Sequence, residues 1–211
     1  MRDRNVCACG FCSPFDSAAC DACGADLYAP AGGLTLWLLQ DTSTALTTKL
    51  AKRLGPRFGR EVHISPGRVA AGPSRRPRPW KGNSATAFLN QVARRARCGE
   101  IVLGIAEGNV VPAIGWNFLF GLAYLGQRCA VMSLHPLRAD GASTSKVLAR
   151  AEAIAVHELG HALGLDHHGY EDDVHCVMVG DVEYDCVEAL DAGTAEFCET
   201  CARRAGRPAR T

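Results

Sequence analysis

The amino-acid sequence predicts an α/β (α+β) fold in which helices pack on a mixed β-sheet, preceded by a small cysteine-bearing module. Three observations predict it. Short apolar runs alternate with helical periodicity after residue 30, one long helix carries histidines four residues apart, and the eleven cysteines among 211 residues gather near the two ends. The rest is ordinary for a folded chain. With 47% hydrophobic and 21% charged residues and a formal net charge of +1, disorder is excluded as the dominant state. The length suits one domain of about 150 residues plus an appendage.

The elements follow in order. Residues 1–30 form the module, closed by the linker Ala29-Pro30-Ala31-Gly32-Gly33; residues 31–202 form the main domain, and 203–211 a frayed, arginine-bearing tail. Leu34-Thr35-Leu36-Trp37-Leu38-Leu39 reads as a buried strand, residues 43–58 as a helix with Leu46, Leu50 and Leu54 at four-residue spacing, and residues 62–64 as a second strand. That is a βαβ unit. Residues 66–82, rich in Pro, Gly and Arg, form a loop, and residues 83–97 a helix through Phe88, Leu89 and Val92. Further strands are expected at 100–106, 117–125 and 129–134. Ser143 or Thr144 caps the next helix, which runs through Val147, Leu148, Ile154 and Leu159 and stops near Gly164.

Cysteine position selects metals over disulfides. Cys7, Cys9, Cys12, Cys20 and Cys23 lie at the front, Cys176, Cys186, Cys198 and Cys201 at the back, and Cys98 and Cys129 between. CxxC spacing brings two thiolates to one ion, whereas a disulfide scaffold would spread its cysteines and follow an export signal. The start, MRDRNVCACG, has no apolar h-region, and no run of 18 apolar residues occurs. A reduced, cytoplasmic protein with thiolate metal sites and no membrane partner is expected. In the module, Cys9-Gly10-Phe11-Cys12 and Cys20-Asp21-Ala22-Cys23 resemble a short zinc ribbon, with Cys7 competing with Cys9. About 30 residues bury too little apolar surface to fold unaided, so a metal staple is needed.

Charge is unevenly spread. From Lys52 to Arg97 twelve Lys or Arg face Glu61 alone, while from Asp140 to Cys201 fourteen Asp or Glu face Lys146 and Arg150. Such blocks ordinarily form solvated faces. The basic block and the ribbon also admit a second function class, a binding module for nucleic acid or protein with little hydrolysis. Near-zero net charge and 7% aromatic residues disfavour a dedicated nucleic-acid binder.

The chemistry lies in His157-Glu158-Leu159-Gly160-His161-Ala162-Leu163-Gly164-Leu165-Asp166-His167, an HExxHxxGxxH pattern on the predicted helix. His157 and His161 share one helix face, with Cβ atoms about 5–6 Å apart, so both imidazoles reach one zinc ion. Gly164 accepts a positive φ, and the turn returns His167 as third ligand. Three neutral imidazoles leave the fourth position open to a water whose pKa zinc lowers toward about 7. Glu158 points beside the metal, where a general base for that water belongs, so the expected reaction is peptide-bond hydrolysis by zinc-bound water activated by Glu158.

The pattern resembles the metzincin metalloproteases, and Met178 fits their Met-containing turn beneath the zinc. Cys176-Val177-Met178 followed by Phe197-Cys198-Glu199-Thr200-Cys201 resembles the archaemetzincin family. So do the segments Val102-Leu103-Gly104-Ile105, Asn117 through Ala123, and Ala130 through Leu134. The resemblance spans residues 34–202 and implies a zincin-like fold, a peptide or protein substrate, and a second, structural zinc. In that family a cysteine following the third histidine joins the cysteine before the Met-turn and the final CxxC pair around the second zinc. Cys176, Cys198 and Cys201 match three of these positions. His168 stands where the first cysteine would be, and the segments from there to Cys176 and from Met178 to Cys198 are longer than usual. His168 is placed first as fourth ligand, with His175 and Cys186 as rivals, and Cys186 is equally read as an inert buried thiol. Tyr184 is read as a surface residue or as a transition-state hydrogen-bond donor. The resemblance also implies an edge strand that aligns the substrate backbone, for which residues 100–106 and 117–125 are the candidates. The acidic residues that usually follow the family's strand are reduced here to Ala106-Glu107-Gly108-Asn109.

Overall fold

A computed structural model describes residues 33–39, 42–66, 82–96, 100–112, 118–168, 175–179, 187–192 and 194–205, and the backbone of 4–6 and 12–14. At the front, β1 (Arg4–Val6) and β2 (Cys12–Pro14) pair antiparallel. Cys12 therefore sits on β2. Cys7, Cys9, Cys20 and Cys23 lie outside the described residues, as do Cys98, Tyr184 and Cys186.

The expected βαβ unit opens the main domain. β3 (Leu34–Leu39) leads into α1 (Thr44–Phe58), which returns through β4 (Val62–Pro66) parallel to β3. Ser43 caps α1 by accepting a hydrogen bond from the Leu46 amide, and Gly59 closes it in a left-handed conformation. A short strand, β5 (Asn83–Ser84), precedes α2 (Ala85–Arg95), so the helix expected from residue 83 begins two residues later, capped by Ser84. β6 (Ile101–Ala106) and β7 (Val110–Val111) follow, β7 pairing with β5. β8 (Gly121–Tyr124) and β9 (Cys129–Ser133) form a hairpin. After a 3-10 turn at Pro136–Arg138 comes α3 (Thr144–Ala162), capped by Ser143, and the last described elements are two short helices, α4 (Val187–Ala192) and α5 (Glu199–Arg204).

The main sheet has the order β4-β3-β6-β9-β8, parallel except for β8. Alternation along its strands divides the core. Ile101, Leu103 and Ile105 of β6 face the cluster formed with α1 and α3, while Val102 and Ala106 face the one formed with α2. Placement in the sheet also decides between the two candidate substrate strands. β6 is hydrogen-bonded to β3 on one side and β9 on the other, so it has no free edge, and residues 100–106 are excluded from that role. Its six residues are all buried, as expected of a central parallel strand. The edge is β8, within the 117–125 segment. Among the described residues, no helix is long and apolar enough to cross a membrane.

Candidate metal centres

Helix α3 is buried along almost its whole length, and its C-terminal end carries the histidine pattern. It ends in a Schellman motif. Gly164, at φ +86°, lets its own amide donate to the His161 carbonyl (2.9 Å) and the Leu165 amide donate to the Gly160 carbonyl (2.9 Å). The β8–β9 turn supports the same helix end: the Gly126 amide donates to the His161 carbonyl (2.8 Å) and the Arg128 amide to that of Ala162 (2.9 Å). The chain that leaves this end brings His167 back to the helix.

The three Nε2 atoms converge. His157 and His161 are 3.0 Å apart, His161 and His167 2.9 Å, and His157 and His167 3.2 Å. Their orientation is set from behind. The His157 Nδ1–H donates to the Val177 carbonyl and the His161 Nδ1–H to that of Leu165, both at 2.8 Å, which leaves the two Nε2 atoms as lone-pair acceptors aimed at each other. Facing lone pairs at that distance repel unless a cation lies among them. Burial pushes the His157 imidazole down to about 3, aided by His161 and His167, and lowers His161 too, so both favour the neutral form that ligates metal. The donor set therefore fits zinc.

Beside it lies Glu158, 6% exposed, whose carboxyl burial pushes up to about 8. Packed against it is Gly121, the first residue of β8. A Cβ at that position would stand 2.5 Å from both Glu158 Cγ and Oε1, so only glycine lets the edge strand approach the carboxyl. Met178, fully buried, occupies the floor. A Cβ on Gly160 would fall 2.5 Å from its Sδ, so the glycine between the two helix histidines is what admits the methionine.

A second group stands behind the first. His168 Nε2 is 3.1 Å from Cys201 Sγ and 3.4 Å from Cys198 Sγ, and with Cys176 Sγ these four ligand atoms lie within 4.8 Å of one another. Cys176 Sγ accepts from the amides of Met178 (3.4 Å) and Cys198 (3.2 Å). Three thiols this close do not all ionise unaided. Burial and the neighbouring thiols push Cys201 up to about 12, and burial first of all raises Cys176, while Cys198 is lowered because the Cys201 amide and the nearby thiols outweigh its burial. A divalent cation reverses that conflict, so this set fits zinc as well. His175 is exposed and belongs to neither group. Sequence reasoning passed over Gly121 and Gly160, and of the two only Gly160, inside the histidine pattern, carried a signal.

A family model described as peptidase family M54 matches residues 98–207, just over half of the chain. The archaemetzincin of Thermococcus kodakarensis is 28% identical over 183 residues, covering 84% of this chain and 93% of that relative. The archaemetzincin of Archaeoglobus fulgidus is 35% identical over 105 residues, 50% of this chain and 59% of the relative. The crystal structure of the Archaeoglobus protein, complexed with malonate, is similar at a TM-score of 0.65 and 26% identity, covering 81% of this chain and 99% of that one. The archaemetzincin of Methanopyrus kandleri shares the fold, with a TM-score of 0.67 at 24% identity over 83% and 94% of the two chains. The chain thus belongs to peptidase family M54, the archaemetzincins, and is a zinc metallopeptidase.

Proposed function

We propose that the chain hydrolyses peptide bonds at the group formed by His157, His161 and His167, with Glu158 moving the proton. The observation that carries this reading is the convergence of three Nε2 atoms, two of them locked by backbone carbonyls, beside a buried carboxyl. When bound there, zinc polarises the scissile carbonyl and acidifies the attacking water. Glu158 takes a proton from that water as its oxygen attacks the carbonyl carbon, and returns it to the amine as the C–N bond breaks. Burial alone would keep the Glu158 carboxyl protonated near neutral pH, and a divalent cation beside it acts in the opposite direction, leaving a group able both to accept and to donate. Met178 and Gly160 hold the floor beneath the ligands.

Substrate backbone adds to the outer edge of β8, which is unpaired among the described strands. That strand is held in place by β9 on its inner side and by the Tyr124 hydroxyl, which donates to Asn90 Oδ1 of α2 at 2.8 Å. His168, Cys176, Cys198 and Cys201 hold a second zinc in a closed, structural site. Cys9, Cys12, Cys20 and Cys23 hold a third in the N-terminal ribbon, a reading that rests on their CxxC spacing.

Glu158→Gln tests the mechanism. On a mixed peptide library analysed by mass spectrometry, the variant should retain the zinc content of the parent and lose about 10²–10⁴-fold in cleavage rate. Equal cleavage by the two, or none by the zinc-loaded parent, would sink the reading.

A further inference from the structure

Segment 195–198 supplies Cys198 to the second group and reaches the histidine group through Val177, and a charged side chain of α1 holds it from the far side. The Glu196 carbonyl accepts the Val177 amide at 2.7 Å, and the Val177 carbonyl in turn accepts His157 Nδ1–H. Two residues on, the Cys198 amide donates to Cys176 Sγ while its own sulfur joins the second group. On the opposite flank stands Arg57 of α1. Its Nη1 donates to Glu196 Oε1 (2.5 Å) and to the Ala195 carbonyl (3.1 Å), and its Nε donates to Glu152 Oε1 (2.6 Å) on α3, the helix that bears His157 and His161.

We propose that Arg57 is a positioning residue for both metal groups, tying segment 195–198 to the ligand-bearing helix. The inference rests on the metal assignments proposed above. A planar guanidinium directs several donors at fixed angles, so it sets the height and tilt of the segment relative to α3 instead of merely neutralising charge. The Arg57 side chain is 17% exposed and its Glu152 partner 10%, which limits screening of that pair, while Glu196, 40% exposed, is more open to solvent and is backed by the bond from Arg57 to the Ala195 carbonyl. Three hydrogen bonds, from Arg57 to the Glu196 carboxylate, from the Val177 amide to the Glu196 carbonyl and from His157 Nδ1–H to the Val177 carbonyl, then link the guanidinium to the imidazole through the backbone of Glu196 and Val177. The next residue along reinforces the docking without duplicating it: Phe197 packs edge-on against Phe58, with centroids 6.1 Å apart. That apolar contact keeps the segment near α1 when Arg57 is changed, so alignment is lost before the fold.

Zinc transfer from the full-length, zinc-loaded chain to an excess of chromogenic chelator tests this. The phase belonging to the histidine group is identified by its loss in His161→Ala, and that of the second group by its loss in Cys201→Ser. Arg57→Gln should release both zincs about ten-fold faster, the scale of effect for partners behind the ligands, with Arg57→Lys in between. Two controls separate positioning from stability. Arg53→Gln removes a 2.7 Å hydrogen bond to Glu152 Oε2, and Leu50→Val thins the apolar face of the same helix; both should release zinc at the parent rate. Parent-like release by Arg57→Gln, or equal acceleration by Leu50→Val, overturns the proposal. Should Arg57→Gln fail to fold, Arg57→Lys and Glu196→Gln carry the test: each accelerates release, and the pair accelerates no more than the larger single change, whereas multiplying effects overturn it. A parent chain lacking the zinc that depends on His161 would refute the histidine assignment instead, and the second phase would still test Arg57.

Discussion

His167 and His168 are consecutive residues, yet they belong to groups of opposite design. The histidine group draws two imidazoles from one helix and the third from its exit, and its exposure rises from buried His157 through half-buried His161 to exposed His167. The second group collects four side chains from a loop, a turn and the start of α5, and none of the four is exposed. Three ligands with one open side suit catalysis, while four with none suit a staple. What separates them is therefore how the surrounding chain is used. The first group borrows rigidity from a buried helix, whereas the second has little regular structure of its own and supplies rigidity to the segment that carries Met178 and orients His157.

The sharpest way to break this contrast is to remove one ligand from each. His161→Ala should bring peptide cleavage to background and leave the unfolding temperature within a few degrees of the parent, because α3 is held by packing along its length. Cys201→Ser should do the reverse. Losing a closed zinc site removes several kcal/mol of stability, about 10 °C or more in Tm at roughly 2–4 °C per kcal/mol for this size, while the molecules still folded keep cleaving. Calorimetry and zinc counting on both variants check the exchange. Equal losses of Tm would show that the two groups are not divided in this way.

A smaller effect sharpens the catalytic side. Gly121 belongs to the sheet and Glu158 to the helix, and the two elements meet where a Cβ would overlap the glutamate at 2.5 Å. Gly121→Ala should displace the carboxyl, lowering kcat by up to about 100-fold, the scale of a 1 Å misplacement, with zinc content unchanged at both groups. Steady-state kinetics with parallel metal analysis decides it. Loss of zinc would mean that β8 supports the three histidines and not Glu158.

The two groups were also unequally legible. The histidine group lies within eleven residues on one helix, so helical spacing and one glycine were enough to assemble it. In the second group the three cysteines followed from a family resemblance, and the fourth position stayed open between His168, His175 and Cys186. That choice depends on the parallel bridge between His168 and Val179 and on the hydrogen bond from the His168 amide to the Met178 carbonyl, which are long-range pairings that no local pattern encodes. The strand question was similar. Residues 101–106 and 121–124 both read as apolar strands, but only sheet order tells a central strand from an edge, although the unbroken burial of the former is the mark of a central one. Helices of six residues, such as α4 and α5, are too short for periodicity to reveal. Arg57 read simply as part of a basic block, because its partners lie 95 and more residues away.

The opposite end of α3 offers the mildest test. There Arg150, 1% exposed, donates to both oxygens of Asp140 and of Asp191 at 2.7–2.8 Å, and Lys146 reaches Asp191 at 2.8 Å. Its guanidinium holds both carboxyls below the ordinary aspartate range, with Lys146 assisting at Asp191. A carboxyl whose folded pKa is depressed adds stability above its unfolded value of about 3.9, and that stability is lost as pH falls from there toward the folded value. The helix thus carries the histidine group at one end and an ion cluster at the other, and acid weakens the cluster. Asp140→Asn should lower Tm by a roughly constant, small amount at pH 5 and above, and the gap to the parent should narrow steadily as pH falls below about 4, since the unfolded parent then takes up the proton that the folded carboxyl refuses. Both chains lose metal together in acid, so the difference between their curves isolates the cluster. A gap that holds constant to pH 2 would mean that Asp140 acts through packing or its turn, and that the charge cluster does not anchor the helix.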